Sequence, residues 1–264
     1  MQTDTLSAQE ITATPASIPH EQSISPGAIN RIVIGIILLI VVIQIGFFKT
    51  YISHFPKFED YAVEGGRVEH FNWYMHLHGM VMMAWVFMLL IQPILILKGK
   101  RKLHRQVGSL SYVLAPLVLV VLYLANRDRY LDILVNAGQP AAVARLAISF
   151  PEAVFFAILY SLAMIYRRRP ALHMRYMVST AFLFINPAAG RIFRTYFDLN
   201  PGFPYGSTIV LSLVGLITIV DSLRTKRISP FILVFGLLLL HRIIWELRDT
   251  PFWQATGAAI GKIF

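Results

Sequence analysis

Long apolar stretches alternate with short polar ones along most of the chain. An apolar run of about 20 residues is the length of helix that crosses the hydrocarbon core of a bilayer. The pattern predicts seven such helices, at residues 29–48, 72–97, 107–125, 145–166, 173–197, 207–223 and 230–247. The last three are short or interrupted by polar residues, so six spans, with the sixth or seventh helix at the interface, is the alternative. The sequence therefore predicts an all-α, polytopic transmembrane helical bundle.

Polar segments flank the predicted bundle. Residues 1–28 are rich in Ser, Thr, Ala and Pro and lack the basic and apolar regions of a signal peptide, so we expect a disordered tail. Residues 29–250 are expected to form a single transmembrane domain, followed by a short C-terminal tail at 251–264. The composition supports this division, because 56% of residues are hydrophobic and only 14% are charged, against about 25% charged residues in soluble domains.

Basic residues concentrate in alternate turns between the predicted helices. The turns at 98–105, 167–175 and 224–227 are rich in Lys and Arg, whereas the opposite turns mix bases with Asp and Glu. The positive-inside rule then places the basic turns and the N-terminus in the cytoplasm, and the C-terminus outside. We therefore expect a multi-pass protein of the bacterial inner membrane. Its net charge of +10 is expected to serve orientation and contact with anionic lipid headgroups, and not nucleic-acid binding.

The second predicted helix carries side chains that are unusual in a lipid-facing segment. Residues 72–85 include His76, His78 and four methionines. A buried imidazole usually has a partner or a ligand. Because the two histidines are two residues apart, they point about 200° apart on a helix and cannot chelate one ion together. We expect His78, which precedes Gly79, to meet His241 near the outer face, and His76 to be structural.

A second histidine pair is predicted at the inner face. His104 and His173 each open a helix after a basic turn, in the similar segments 103–105 and 172–175. Facing helices at matched depth would allow the two imidazoles to bind one ligand. Each candidate histidine also has a simpler interpretation, which is a hydrogen bond to a carbonyl, a headgroup or a neighbouring helix.

Imidazole together with thioether suits haem iron or copper better than zinc or magnesium. The predicted cofactor is haem b, with copper or another transition metal as the alternative. The chain has no cysteine, which excludes thiolate metal sites and covalent haem attachment. Arg191 and Arg194 share a helix face and are expected to hold haem propionates or an anionic substrate. The predicted metal ligands are His76, His78, His104, His173 and His241, all of which except His76 are also expected in the cofactor site.

Two segments resemble a family of uncharacterised bacterial multi-span membrane proteins. The first has the pattern His76-x-His78-Gly79, Trp85, Gln92-Pro93, Gly99, His104-Arg105 and Gly108, and the second has His173-x-Arg175-x-Met177, Pro187-Ala188 and Gly190-Arg191. This resemblance covers the second to fifth predicted helices and implies a membrane bundle without specifying an activity.

More loosely, histidines on successive helices are similar to those of four-helix diheme b-type transmembrane cytochromes. That resemblance implies two bis-histidine haem sites, one on each side of the membrane. His104 and His173 match the inner site. The fourth predicted helix has no histidine, so His241 would have to complete the outer one.

Three functions are compatible with these features. The first is a haem-binding or other metal-binding membrane protein that serves electron transfer or redox chemistry, with a redox partner or a second copy of the chain beside it. The second is a transporter of a small solute or ion, without a cofactor, whose path is lined by Arg191, Arg194 or Glu152. The third, a metal-dependent membrane enzyme, ranks last because the chain shows no recognisable nucleophile or base constellation.

Overall fold

The computed structural model of the protein describes residues 24–59, 61–62, 68–69 and 71–264. Residues 1–23 of the predicted disordered tail lie outside this part. The helices are α1 (Pro26–Phe48), α2 (Trp73–Leu97), α3 (Arg101–Ser109), α4 (Ser111–Ile165), α5 (Pro170–Phe197), α6 (Phe203–Thr225), α7 (Phe231–Glu246) and α8 (Pro251–Gly261). Between α1 and α2 come a 3-10 turn (Ile52–His54) and two short antiparallel strands, β1 (Tyr61–Ala62) and β2 (Val68–Glu69).

Capping residues set the ends of the first and last helices. Ser25 accepts a hydrogen bond from the Ala28 backbone N–H, and Pro26 occupies the first turn of α1. Pro is favoured at this position because the first helical N–H groups have no intrahelical acceptor. Thr250 caps α8 in the same way through the backbone N–H of Trp253. The segment predicted as a C-terminal tail therefore forms a helix, and α1 begins three residues before the predicted span.

The long helix α4 is a helical hairpin that reverses at Gly138. The backbone of Gly138 has φ of 81° and ψ of 172°, a conformation that side chains with a Cβ atom rarely adopt. The Asn126 amide donates to the Ser149 carbonyl at 3.5 Å, and the hydroxyls of Ser111 and Tyr160 lie 3.1 Å apart. These contacts place residues 111–137 antiparallel to residues 139–165. The third predicted helix therefore begins at Ser111 and not at 107, because residues 101–109 form the separate basic helix α3.

The all-α prediction is confirmed, and each of the seven predicted apolar segments is helical. Four helical runs are long and apolar enough to cross a membrane, namely Pro26–Phe48, Trp73–Leu97, the run Arg101–Ile165 that contains the hairpin, and Phe203–Thr225. Helix α7 has only 16 residues, and α5 carries Asn and Arg within its apolar sequence. The choice between six and seven spans therefore stays a prediction.

Helix α5 lies at the centre of the bundle and packs against α1, α4 and α6. Around it, α2 packs against α1 and α4, α7 against α4 and α6, and α8 against α4. We call one end of the bundle the basic end, because it carries the basic turns at 98–100, 166–169 and 226–230. We call the other end the opposite end; it carries Gly138 and the segment between α1 and α2. In the core, Trp85 is buried between Phe156 and Tyr160.

Small residues allow α1 and α6 to approach α5 closely on either side of its 187–190 segment. A Cβ atom on Gly46 of α1 would lie 2.5 Å from the Ala188 carbonyl oxygen. A Cβ atom on Gly202, just before α6, would overlap the carbonyl of Gly190. Close helix crossings through small residues are a common way for membrane helices to associate. They fix the position of Arg191, which follows directly.

Candidate functional site

His76 faces the loop at the opposite end. Its Nδ1 atom forms a 2.6 Å hydrogen bond with the Tyr51 hydroxyl, and its ring contacts those of Phe58 and Phe71 at 4.6 and 6.3 Å between centroids. Partial burial raises the pKa of the Tyr51 phenol above its ordinary value, so the hydroxyl keeps its proton. This placement agrees with a structural role for His76, which fastens the 49–59 segment to the first turn of α2.

His241 supports α4 where a proline interrupts its hydrogen bonds. Pro151 has no N–H, so the carbonyl four residues earlier loses its helical donor. That carbonyl belongs to Ala147, which interacts with the His241 ring, and the Nε2–H of His241 donates to the neighbouring carbonyl of Ile148 at 2.9 Å. The imidazole is buried and lies between the rings of Phe155 and Phe203. His241 thereby links α7 to the second half of α4.

We expect His241→Leu to lower the free energy of unfolding by about 1–3 kcal/mol, the usual cost of leaving a buried acceptor without its donor. His241→Gln keeps an N–H donor near Ile148 and should lose less. The melting temperature of the detergent-solubilised protein measures the difference. Equal melting temperatures for the wild type and His241→Leu would show that this hydrogen bond is not structural.

The structure brings the inner pair of predicted ligands together at the basic end. His173 donates from Nδ1 to the Ala163 carbonyl at 2.8 Å, one of the last carbonyls of α4, which have no helical donor. The Gln92 side-chain amide is oriented so that both its nitrogen and its oxygen have a hydrogen-bond partner. The nitrogen donates to Nδ1 of His104, and the oxygen accepts from the Gly108 N–H at 3.0 Å. His104 and His173 are close enough for their charges to interact.

A cluster of polar side chains lies between α2, α4 and α5, toward the opposite end of the bundle. It consists of His78, Glu152 and Arg191, and we call it the deep cluster. Glu152 interacts with the charge of Arg145 and then with that of Arg191, and the charge of Arg191 also affects His78. Two buried atoms in the cluster, Nδ1 of His78 and Oε1 of Glu152, have no hydrogen-bond partner among the described residues. The same holds for Oδ1 of Asn186, which lies beside Gly206 of α6.

Arg191 has few partners for a guanidinium so deep in a protein. It donates to the Pro187 carbonyl at 3.1 Å, and its guanidinium lies 4.2 Å from the centre of the Phe47 ring. Within the described residues, no carboxylate lies at ion-pair distance from it. Arg194, one turn further along α5, is exposed. The two arginines thus form a line of positive charge from the surface to the deep cluster.

The side chains of the deep cluster are only partly covered by the surrounding helices. His78, Glu152 and Arg191 are each half-buried, although they lie deep in the bundle. Two shallow surface depressions, of about 330 Å³ at Met164–Arg168 and about 280 Å³ at Ser53–Glu59, lie elsewhere. The cluster is therefore a polar site between helices whose charged groups keep part of their surface exposed.

The predicted metal ligands are not gathered into one centre. His78 lies beside the Val121 carbonyl and Arg191, whereas the contacts of His241 come from α4 and α6. The shared ligand of His78 and His241 therefore stays a prediction that their contacts do not support. In the part of the chain that the structure describes, no group of three or more His, Asp or Glu side chains has the arrangement of a metal site.

Comparison of the chain with known protein families, with curated proteins and with solved structures finds no match. The two resemblances drawn from sequence patterns therefore stay predictions. The structure defines the class at a coarser level, as a helical protein with four helical runs long and apolar enough to cross a membrane. Its functional interpretation depends on the deep cluster.

Sequence reasoning found Glu152 and Arg191 separately, because charged residues within apolar spans are functional candidates, but did not bring them together.

Proposed function

We propose that this chain is an integral membrane protein that binds a small anion at Arg191, in the deep cluster, and carries it across the bilayer. One observation carries the proposal: within the described residues, the Arg191 guanidinium lies deep among apolar helices without a carboxylate at ion-pair distance. An unpaired charge in such surroundings is costly. An anion that makes charge-assisted hydrogen bonds with the guanidinium would remove this cost.

The surroundings of Arg191 favour a solute over a fixed structural role. A structural arginine normally satisfies its five N–H groups with protein acceptors, whereas Arg191 donates to one carbonyl. The exposed Arg194 supplies positive charge between the surface and Arg191, and such charges raise the local concentration of anions. The Phe47 ring of α1 covers one side of the guanidinium.

The proposed topology follows from the basic turns. We place the basic end in the cytoplasm of a bacterial cell, where its Lys and Arg side chains contact anionic lipid headgroups. The deep cluster then lies in the outer half of the bilayer, and the anion reaches it from outside past Arg194.

The test is uptake into liposomes that contain the purified protein. We expect radiolabelled chloride or lactate to enter faster than into protein-free liposomes of the same lipid. Phosphate and succinate serve as multiply charged comparisons. Uptake no faster than in protein-free liposomes for all four probes, with protein that is folded by circular dichroism, would refute the proposal.

A second proposal is a haem b or other metal site between His104 and His173, and the basic end supplies its one specific observation. The Nδ1–H of His173 is held by a backbone carbonyl, which is the orientation that metal-binding histidines commonly have, and its Nε2 atom stays available. His104 fits less well, because the Gln92 amide donates to its Nδ1 atom, so that its proton lies on Nε2.

This second site predicts a visible spectrum. Protein purified from haem-replete cells should show a Soret band that His173→Ala abolishes and His76→Phe, at the other end of α2, leaves in place. Colourless wild-type protein without bound metal would contradict the site, and it would leave the anion proposal untouched.

A further inference from the structure

The basic end of the bundle carries positive charges without acidic counterparts. The sequence has no Asp or Glu between residues 69 and 128 or between residues 152 and 198, the two stretches that contain α3 and the 166–169 turn. Among the described residues of this end, the acid Asp221 is engaged by Arg175 through hydrogen bonds of 2.7 and 3.0 Å. Uncompensated positive charge of this kind attracts anions. The exposed side chains that carry it are Lys98, Lys100, Arg101, Lys102, Arg105, Arg167, Arg168 and Arg169.

Helix α3 has one face on the bundle and a basic face outside it. The Gln92 side chain of α2 hydrogen-bonds to His104 and to the Gly108 N–H, so this side of α3 packs against protein. Arg101 and Arg105 are exposed. A short helix with a basic outer face at the end of a membrane bundle is suited to contact with anionic headgroups.

One hydrogen bond joins the start of α4 to the turn before α5. Arg167 donates to the Tyr112 hydroxyl at 3.0 Å, and Leu110 is the single residue between α3 and α4. Arg105 precedes Tyr112 by seven residues, which is no more than about 10 Å along a helix. Two groups of positive charge are therefore held side by side, one on α3 and one at Arg167 and Arg168.

An exposed apolar surface begins beside these charges. The depression of about 330 Å³ is lined by Met164 and Ile165 as well as by Arg167 and Arg168. Ile165 is 71% exposed, and Val113, which follows Tyr112, is 72% exposed. Such a surface suits an amphiphile, because phosphates pair with guanidinium groups while acyl chains cover the apolar side chains. A soluble phosphate would use the charges alone.

We propose that the basic end binds one phospholipid with two phosphate groups at this place, with one phosphate beside α3 and the other at Arg167 and Arg168. Two phosphates match the two groups of charge, and the acyl chains lie along Ile165 and Val113. The inference assigns one lipid to one site, which goes beyond general contact with headgroups. It does not depend on anion transport. The bound lipid ties α3 to the turn before α5.

The experiment uses the full-length protein in a non-ionic detergent, with cardiolipin, which has two phosphates and four acyl chains, as the probe. Native mass spectrometry should retain one cardiolipin per chain. Titration should give an affinity at least about tenfold higher than that for phosphatidylglycerol, which has one phosphate. This ratio corresponds to about 1.4 kcal/mol. Cardiolipin should also raise the melting temperature of the protein more than phosphatidylglycerol does.

The double variant Arg167→Gln/Arg168→Gln should bind cardiolipin about twentyfold more weakly, since each basic residue near an anionic lipid surface contributes about fivefold. Arg168→Gln alone should lose about fivefold, and it keeps the test available if the double variant fails to fold. Arg168 has no side-chain partner among the described residues, so its replacement removes charge and little else. Arg224→Gln/Lys226→Gln is the matched control, because it removes two exposed charges from the same end, within about one turn of Asp221. It should stay within about twofold of the wild type.

Four results would overturn this inference. The first is a protein that retains no cardiolipin in native mass spectrometry. The second is an equal loss of affinity in the double variant and in the control, which would show attraction by overall charge and not a site. The third is equal affinity for phosphatidylglycerol and cardiolipin at the same concentration of phosphate. The fourth is displacement of cardiolipin by a similar concentration of inorganic pyrophosphate, which would make the ligand a soluble anion. The liposome uptake of chloride or lactate tests the proposed function independently of all four.

Discussion

Replacing Arg191 with glutamine is expected to lower the affinity for lactate and chloride about a hundredfold and to reduce their uptake to the level of protein-free liposomes. A charge-assisted hydrogen bond contributes about 1.5–3 kcal/mol, and each 1.4 kcal/mol is about a factor of ten in affinity. The substitution also removes a positive charge that interacts with Glu152, which keeps Arg145 as its other positive neighbour. Equilibrium binding of labelled lactate in detergent measures the affinity, and the liposome assay measures the uptake.

Arg248→Gln is a matched control for Arg191→Gln. Arg248 also donates to a backbone carbonyl, that of Trp245 at 2.9 Å, and it lies 4.0 Å from the centre of that residue's ring. Unlike Arg191, it has a carboxylate partner, Asp249, at 3.2 Å. Its replacement should leave lactate affinity within about twofold of the wild type, since it lies outside the cluster. If both variants lose affinity equally, the loss in Arg191→Gln reflects the overall charge of the protein and not a specific anion-binding site.

Gly46→Ala should strongly destabilise the bundle, whereas Gly35→Ala in the same helix should not. A Cβ atom at Gly46 would lie 2.5 Å from the Ala188 carbonyl oxygen and 3.0 Å from two further backbone atoms of α5. Backbone atoms cannot rotate away as a side chain does, so α1 has to move off α5. Overpacking of this kind costs about 1–3 kcal/mol or more. A Cβ atom at Gly35 meets nothing within 4 Å, and alanine there should be neutral or stabilise α1 by about 0.5–1 kcal/mol.

The melting temperatures of the two glycine variants in one detergent measure this difference. We also expect Gly46→Ala to weaken lactate binding, because α1 carries Phe47 onto the Arg191 guanidinium. Equal melting temperatures for Gly46→Ala and Gly35→Ala would show that α1 does not pack against α5 as closely as described.

The helices of this protein could largely be predicted from the sequence, because long apolar runs admit few other structures in a bilayer. Turn and capping residues account for the features that the apolar pattern did not predict. Gly138 reverses α4 within the short polar segment 136–140, which falls between the predicted spans 107–125 and 145–166. Thr250 and Pro251 start a helix in a segment that is too short to be predicted as a span. The division between α3 and α4 at residue 110 also falls within a continuous run of helix-compatible residues.

The histidines show where sequence reasoning reaches its limit. Helical geometry correctly put His76 and His78 on different faces. It could not show that His241 would meet a carbonyl next to Pro151, since that contact joins residues 93 positions apart. The roles of Gln92 and Gly108 around His104 are likewise tertiary. Glu152 and Arg191 were recognisable as charged residues in apolar helices, but their meeting depends on how α4 and α5 pack.

The most direct test of the anion site is a crystal structure of the protein with bromide, a singly charged anion that anomalous scattering can locate. The account predicts a bromide peak within hydrogen-bonding distance of the Arg191 guanidinium, between α2, α4 and α5, and no such peak in Arg191→Gln crystals. Bromide bound at other sites of a wild-type molecule that is folded as described, with none at Arg191, would contradict it.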